Sequence, residues 1–307
     1  MINCTVIITT YNSSKTIESA ILSVASQMLL LQILIVDDQS HDFVDLKNLI
    51  MNYQVQGLDI KLIENVNKGN ANVSRNIGIQ NAKYDYVAFL DADDTWEPNH
   101  LASAIDSMQK MNADLCFSKV QFVKDGIPQV GAQPIFNGDV AEYIFSNGIA
   151  VTSSIVSKRS ALIQCMFDEK QLKHQDWEFL LRFEKQFKVC QSKYVGLNYT
   201  LSTGSNMSSN TNPAATVRFL NNTLPLKYHK KMLLTQLYLI IQKRDFDAFN
   251  KLKYELNTNY QFNQSNLGIR TRIYLNLFNK GFIFFSNTLY KIININIRII
   301  KKLIGHD

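Results

Sequence analysis

Residues 86–94 read YVAFLDADD. Tyr86-Val87-Ala88-Phe89-Leu90 offers apolar side chains to both faces of a strand, and only a strand covered on both sides can bury them. The run then breaks directly into Asp91-Ala92-Asp93, with Asp94 following. The same grammar occurs twice upstream. Thr5–Thr9 (TVIIT) runs into Thr10-Tyr11-Asn12, and Ile33-Leu34-Ile35-Val36 stops at Asp37-Asp38. Between the strands, Ile17, Ala20, Ile21, Val24 and Met28 repeat at helical spacing, behind a Tyr11–Ser14 turn that offers an N-cap. A helical segment around 43–54 leads to a strand at Ile60–Ile63, and Asn72–Ala82 reads as a further helix. This alternation predicts an α/β fold, a mostly parallel sheet flanked by helices. In such a sheet the ligand crevice lies just outside the carboxyl ends of the strands, where the polar residues collect.

Outward from this core the pattern loosens. Asp114–Val123 and Ser153–Val156 read as strands, with a helix near 138–146, a helix from Asp176 to Phe187 and a final strand at Val189–Val195. Ser202–Pro213 (STGSNMSSNTNP) has loop composition and sets the expected boundary, followed by a smaller all-helical region at 213–307.

The 307 residues are 46% hydrophobic and 19% charged, enough to bury a large core, which excludes bulk disorder. Cys4, Cys116, Cys165 and Cys190 lie far apart, with neither a C-x-x-C pair nor metal-finger spacing. That fits a reducing compartment. The opening MINCTVIITTYN lacks a basic signal-peptide start and reads as a buried strand. No clean apolar run approaches the roughly 18 residues of a spanning helix. Phosphate-loop and dinucleotide fingerprints are missing too, which disfavours nucleoside triphosphatases and dinucleotide oxidoreductases.

Charge is unevenly distributed. Leu256–His306 contains no acidic residue but seven basic ones: Arg270, Arg272, Lys280, Lys291, Arg298, Lys301 and Lys302. With Asp307 the only acid in this tail, 25 basic and 25 acidic residues remain in the body, so the formal +6 belongs to the end of the chain. An anionic partner is expected there and nucleic acid is not expected for the body. Asn287, Lys291, Asn294, Arg298 and Lys302 share one helical face, with Leu289, Ile292, Ile293, Ile299, Ile300, Leu303 and Ile304 opposite. Such a helix suits an anionic membrane surface; burial within a helical domain or a homo-oligomer interface is the competing reading.

Two carboxylates one residue apart after a buried strand, Asp91 and Asp93, supply hard oxygen ligands for a divalent cation, with water and phosphate oxygens completing the shell. A polar turn capping a helix near Glu97-Pro98 is the plainer alternative. Asp38 can accept hydrogen bonds from a base N–H or a ribose hydroxyl, and Asp37 either joins it or holds a turn. Asn67-Lys68-Gly69 with Arg75-Asn76 sets cations beside the same crevice, where a diphosphate needs them, with a solvated helix face and a surface loop as the alternative. His229, in Lys227-Tyr228-His229-Lys230-Lys231, reads as an exposed basic helix start, with a place in a metal shell as the alternative. The Ser202–Asn210 loop is either a lid or a linker.

TVIITTYNSSKTIESAILSVASQ, ILIVDDQSHD and NKGNANVSRNIGIQNAKYDYVAFLDADDTWEPNHL together resemble the nucleotide-sugar-binding half of the family 2 glycosyltransferases. Within 153–182, IVSKRSAL, MFDE and HQDWEFLLR extend the resemblance. It implies a GT-A fold and an inverting enzyme, with donor binding in 1–101 and the acceptor and base part in 102–212. Thr9, Thr10, Tyr11, Asn12, Asp37 and Asp38 then hold a uridine-type base and ribose. Asp91, Ala92 and Asp93 carry ribose, Mn2+ or Mg2+ and diphosphate, with Asn67, Lys68, Gly69, Arg75 and Asn76 nearby. Asp176 is the implied general base, although as the first residue of a helix it would equally serve as an N-cap. Trp177 would desolvate it, and His174 and Gln175 would lie on the acceptor side. Gln175 stands where the family often has Glu, so Asp176 is the lone carboxylate there. No Q-x-x-R-W motif occurs, which points to a single sugar transfer rather than polymer synthesis. The expected acceptor is a glycan or lipid-linked glycan at the inner face of a bacterial membrane. The alternatives are a non-catalytic nucleotide-sugar scaffold and a sugar-1-phosphate nucleotidyltransferase, whose Gly-rich signature is missing.

Overall fold

The structure is a computed structural model, and it describes residues 3–67, 69–129, 131–201, 211–243 and 245–258. Lys68, most of the Ser202–Pro213 stretch and the whole basic amphipathic tail lie outside the described residues. The chain divides into two compact units, Met1–Asn206 and Met207–Asp307.

In the first unit, β1 (Asn3–Thr10), α1 (Ile17–Ala25), β2 (Leu30–Asp37), α2 (Phe43–Val55), β3 (Ile60–Glu64), α3 (Ala71–Asn81) and β4 (Tyr86–Asp91) alternate as the periodicity predicts. They are followed by β5 (Thr95–Trp96), α4 (His100–Met111), β6 (Leu115–Lys124), β7 (Ile127–Gln129) and α5 (Val140–Phe145). A 3-10 turn at Thr152–Ser154 leads into β8 (Ile155–Lys158), α6 (Arg159–Gln164), α7 (Gln175–Phe183) and β9 (Val189–Thr200). Among the described residues the strands form one sheet in the order β3-β2-β1-β4-β8-β6-β9-β5, with β7 on β6. The β3-β2-β1-β4 half is parallel. Beyond β4 the sheet is mixed: β8 runs antiparallel to both β4 and β6, while β6 and β9 are parallel.

Burial explains the parallel half. Val6, Ile7 and Ile8 of β1, Leu34, Ile35 and Val36 of β2, and Val87 and Ala88 of β4 are fully enclosed. Helix α3 covers β1 so closely that a Cβ on Gly78 would lie 2.5 Å from Ile7 Cγ2. Register then gathers the polar strand ends, since Thr9 pairs with Asp91 across β1 and β4, and Thr10 with Asp37 across β1 and β2.

Several local expectations change. The 153–156 segment is the 3-10 turn plus the start of β8, not a strand throughout. Helix α7 ends at Phe183 rather than Phe187, and β9 extends to Thr200 because it gains both β6 and β5 as partners. The Tyr11–Ser14 turn gives no side-chain cap; Thr16 occupies the N-cap of α1.

The second unit has α8 (Pro213–Asn222), α9 (Leu226–Lys243) and α10 (Phe246–Thr258). Asn212 caps α8 by accepting from Ala215 N at 3.1 Å. His229 is buried, not exposed, with Nε2 2.8 Å from the Leu224 carbonyl. Its charged neighbours in sequence occupy other sides of the same helix, so composition hides the buried position. Among the described residues no helix is long and apolar enough to cross a membrane.

Candidate active site

The first wall of the site consists of the turns after β1 and β2. Asp37 is fully buried and accepts from Ser40 N at 3.0 Å and from the Ser40 hydroxyl. Asp38, also buried, accepts on Oδ1 from Asn65 Nδ2 at 2.9 Å and Gly69 N at 2.8 Å. Its own N–H donates to the Thr10 carbonyl. Asn12 has φ 54°, a left-handed conformation that asparagine tolerates, and its Oδ1 accepts from His41 N at 2.8 Å. Tyr11 is exposed at the rim, while Thr10 Oγ1 is buried and has no hydrogen-bond partner among the described residues. Asn67 N donates to Asn65 Oδ1 at 3.3 Å. Two strand-end turns are thus tied to each other and to the 65–69 loop.

The carboxylate turn forms the floor. Asp91 Oδ1 accepts from Arg75 Nη2 at 3.0 Å and Thr9 Oγ1 at 3.3 Å. Ala92 packs into the core and Asp93 is exposed on the turn. Although the residue reaches solvent, desolvation of its carboxyl within the turn, and then the charge of Asp91, push Asp93 above its usual range. Asp94 points the other way and is buried, with Oδ2 accepting from Ser153 Oγ at 2.6 Å and Oδ1 from Thr200 N at 3.0 Å. Burial and then the Asp91 charge hold its carboxyl well above the ordinary carboxylate value. Asp94 is therefore a structural acid.

Helix α3 differs from the expected cationic face. Asn72, Arg75 and Asn76, spaced i, i+3, i+4, are buried and turn inward against residues 167–175. Asn72 Nδ2 donates to the Asp168 carbonyl at 2.8 Å and to that of Gln171 at 3.2 Å. Asn76 clamps Phe167, donating to its carbonyl and accepting from its N–H, both at 3.0 Å, and donates to Glu169 Oε1 at 2.9 Å. Arg75 is not an open cation. Its guanidinium bridges Asp91 and Gln175 Oε1 (3.4 Å) and lies 5.4 Å over the Phe167 ring, itself stacked on Phe179 of α7 at 4.1 Å. The polar face of α3 is thus the joint that brings α7 to the carboxylate turn.

Asp176 sits within the first turn of α7. The N-cap is His174 in left-handed conformation (φ 59°), so Asp176 is not the cap. Its Oδ1 accepts from the Thr152 hydroxyl. Burial raises the Asp176 carboxyl above its ordinary value, partly offset by the Arg75 charge and the Thr152 hydrogen bonds. His174 stacks on Trp177 with ring centroids 5.5 Å apart, and burial lowers it to about 3, so its imidazole is neutral at physiological pH.

Asp91 and Asp93 suit a cation shared with a ligand. Their mutual repulsion is what a cation would relieve, and both offer hard oxygens. Among the described residues no three His, Cys, Asp or Glu side chains converge as a metal cage, so the remaining ligands would come from phosphate and water. Thr152, Ser153, Asn65, Ser40 and Asn72 escaped the sequence reading. Thr152, Ser153, Asn65 and Asn72 act through partners distant in sequence, whereas Ser40 holds Asp37 three residues before it.

Comparison with known proteins agrees with this geometry. Residues 5–168 match the model of glycosyl transferase family 2. The amylovoran biosynthesis glycosyltransferase AmsB of Erwinia amylovora is 31% identical over 213 residues, covering 66% of this chain and 71% of that protein. Among solved structures, S. aureus TarS 1-349 in complex with UDP-GlcNAc superposes with a TM-score of 0.60 at 19% identity, over 82% of this chain and 80% of that one. GalNAc-T7 with UDP, GalNAc and Mn2+ gives 0.60 at 14% identity, over 85% and 58%. The structural likenesses establish the GT-A fold. From the family model and the AmsB match, the chain belongs to glycosyl transferase family 2 and is a glycosyltransferase.

Proposed function

We propose that this chain is an inverting, cation-dependent transferase that moves one hexosyl or N-acetylhexosaminyl unit from a UDP-sugar to a hydroxyl of a glycan or lipid-linked glycan. One juxtaposition carries the reading: Arg75 bonds to Asp91 of the carboxylate turn and to Gln175 beside Asp176, which sets a candidate cation site next to a candidate base. The UDP-GlcNAc bound by TarS and the UDP and Mn2+ bound by GalNAc-T7 support the donor class and the cation. The amylovoran role of AmsB supports surface polysaccharide as the setting.

In this reading Thr9, Thr10, Tyr11, Asn12 and Asp38 hold uracil and ribose, Asp37 holds their turn through Ser40, and Asn67 and Gly69 lie toward the diphosphate. Asp93, with Asp91, holds Mn2+ or Mg2+, which when bound neutralises charge growing on the departing diphosphate. Asp176 accepts the proton of the acceptor hydroxyl as its oxygen attacks the anomeric carbon from the face opposite the leaving group. The C–O bond to the diphosphate breaks as the new glycosidic bond forms. A carboxylate raised by burial is a stronger base than one in water, closer to the working pH. His174, Gln175 and Trp177 border the acceptor. Asn76 acts as a clamp and Arg75 as a positioning cation, without donor contacts.

The basic tail would hold the enzyme at the inner face of a membrane, each Lys or Arg near an anionic bilayer contributing on the order of 1 kcal/mol. Co-sedimentation with anionic vesicles, for the full chain and one cut after Asn279, tests this attachment. The function is tested by screening UDP-sugars with manganese for UDP release, with and without glycan acceptors. Acceptor-stimulated release from one donor is expected. Donors bound without turnover would leave a scaffold instead.

A further inference from the structure

Two consecutive hydroxyls in the 3-10 turn Thr152–Ser154 face opposite halves of the site. Thr152 Oγ1 donates to Asp176 Oδ1 on α7. Ser153 Oγ accepts from the Asp91 backbone N–H at 3.1 Å and donates to Asp94 Oδ2 at 2.6 Å, on the two ends of the carboxylate turn. The Ser153 carbonyl accepts from Trp96 Nε1 at 2.7 Å, which ties the same turn to β5. Thr152, Ser153 and Ser154 are all buried, and Ser154 Oγ closes back on the Val151 carbonyl at 2.7 Å, so the turn is internally fixed.

We infer that Thr152 and Ser153 are positioning residues for the transfer, a rigid two-hydroxyl spacer that sets the base Asp176 and the cation-holding turn at a fixed separation. The inference rests on the reading of Asp176 as base. The geometry gives each hydroxyl a separate task. With Oδ1 accepting from Thr152, the Asp176 carboxylate is held in one orientation rather than several, which fixes how it would meet an incoming hydroxyl. Ser153, by accepting from Asp91 N and donating to Asp94, fixes the pitch of the 91–94 turn and hence the aim of Asp93. A deprotonated carboxylate accepts the Thr152 hydrogen bond best, so Thr152 also opposes the upward push of burial. The charged groups acting on Asp176 are Arg75 from α3 and Asp91 from β4; His174 on its own element is neutral.

The test needs no acceptor. Aspartate 13C-carboxyl NMR follows titration in the full chain, with Asp176→Asn identifying the Asp176 resonance. Thr152→Val is expected to raise the Asp176 midpoint by about one pH unit, and Thr152→Ser, which keeps the hydroxyl, to restore it. Ser153→Ala is expected to leave that midpoint within about 0.3 unit but to weaken manganese-dependent UDP binding at least about fivefold. Thermal melting checks that each variant is folded, and Thr152→Ala, which also removes the hydroxyl, carries the comparison if the valine variant is not. An unmoved midpoint in Thr152→Val, or UDP affinity unchanged in Ser153→Ala, overturns the inference. Neither result touches the base assignment, which stands or falls on whether Asp176→Asn still transfers sugar.

Discussion

Replacing Asn76 by alanine separates a clamp from a ligand contact, because family resemblance sets this residue among the donor-binding groups and the structure turns it away. Its amide makes three hydrogen bonds: to the Phe167 carbonyl, from the Phe167 N–H and to Glu169 Oε1. Phe167 is 3% exposed, so alanine leaves a buried N–H and a buried carbonyl that water cannot readily reach. An unsatisfied buried group costs about 1–3 kcal/mol. Two of them, with some relaxation, give a loss of about 3 kcal/mol. For a unit of this size each kcal/mol moves Tm by about 2–4 °C, so the melting temperature is expected to fall by about 6–12 °C. Circular dichroism melting measures that fall, and calorimetric titration of UDP with manganese, on folded protein at low temperature, measures donor binding. The expected pair is a large loss of stability with UDP affinity within about twofold. A variant that melts like wild type but binds UDP tenfold more weakly would refute the clamp and return Asn76 to the donor site.

Other perturbations report on different parts of the account. His100 is fully buried, stacks on Trp96 at 4.5 Å and has neither ring nitrogen hydrogen-bonded among the described residues; burial lowers it to about 3. The unfolded chain therefore binds a proton that the folded one refuses between about pH 6.5 and 3, and stability falls as pH drops through that window. Between pH 7 and 5 this histidine removes about 2 kcal/mol. His100→Phe is expected to lose that much less than wild type in urea melts at the two pH values; parallel losses would contradict the burial argument. The raised acids Asp93, Asp94 and Asp176 act in the opposite direction in both proteins, so the difference isolates the histidine. Asp93→Asn is expected to abolish the manganese dependence of UDP binding and to cut transfer by at least about 100-fold, while wild-type protein treated with EDTA loses transfer and regains it with Mn2+. Undiminished transfer in either case would refute a cation at this turn.

The legible part of the molecule is the part built from neighbours in sequence. Buried strands such as Val6–Ile8 and Val87–Leu90 advertise themselves by being apolar on both faces, and the carboxylates at 37–38 and 91–94 stand out because they end such runs. A parallel register then has only one way to gather them. The joints were not legible. Arg75 and Asn76 carry a polar pattern that sequence alone assigns to solvent or ligand, yet a segment about 90 residues away turns both inward. Asp94 looked like the third member of an acidic turn, but the direction of its side chain depends on Ser153 and Thr200. Thr152 and Ser153 carry no signal of their own; their meaning comes entirely from what the end of β4, the turn after it and α7 set beside them. His229 was misread for a related reason, since four charged or polar neighbours outweigh one inward-facing position on a helix.

The central claim is that Asp176 takes the acceptor proton. It is tested most directly by Asp176→Asn, an almost isosteric change that removes the base and retains a polar side chain beside Thr152. Acceptor-dependent UDP release, with the donor and acceptor selected by the screen, is expected to fall by about 10²–10⁴-fold, with the affinity for UDP and manganese within about twofold of wild type. Transfer at a near wild-type rate by Asp176→Asn would contradict the account and require another residue as the base.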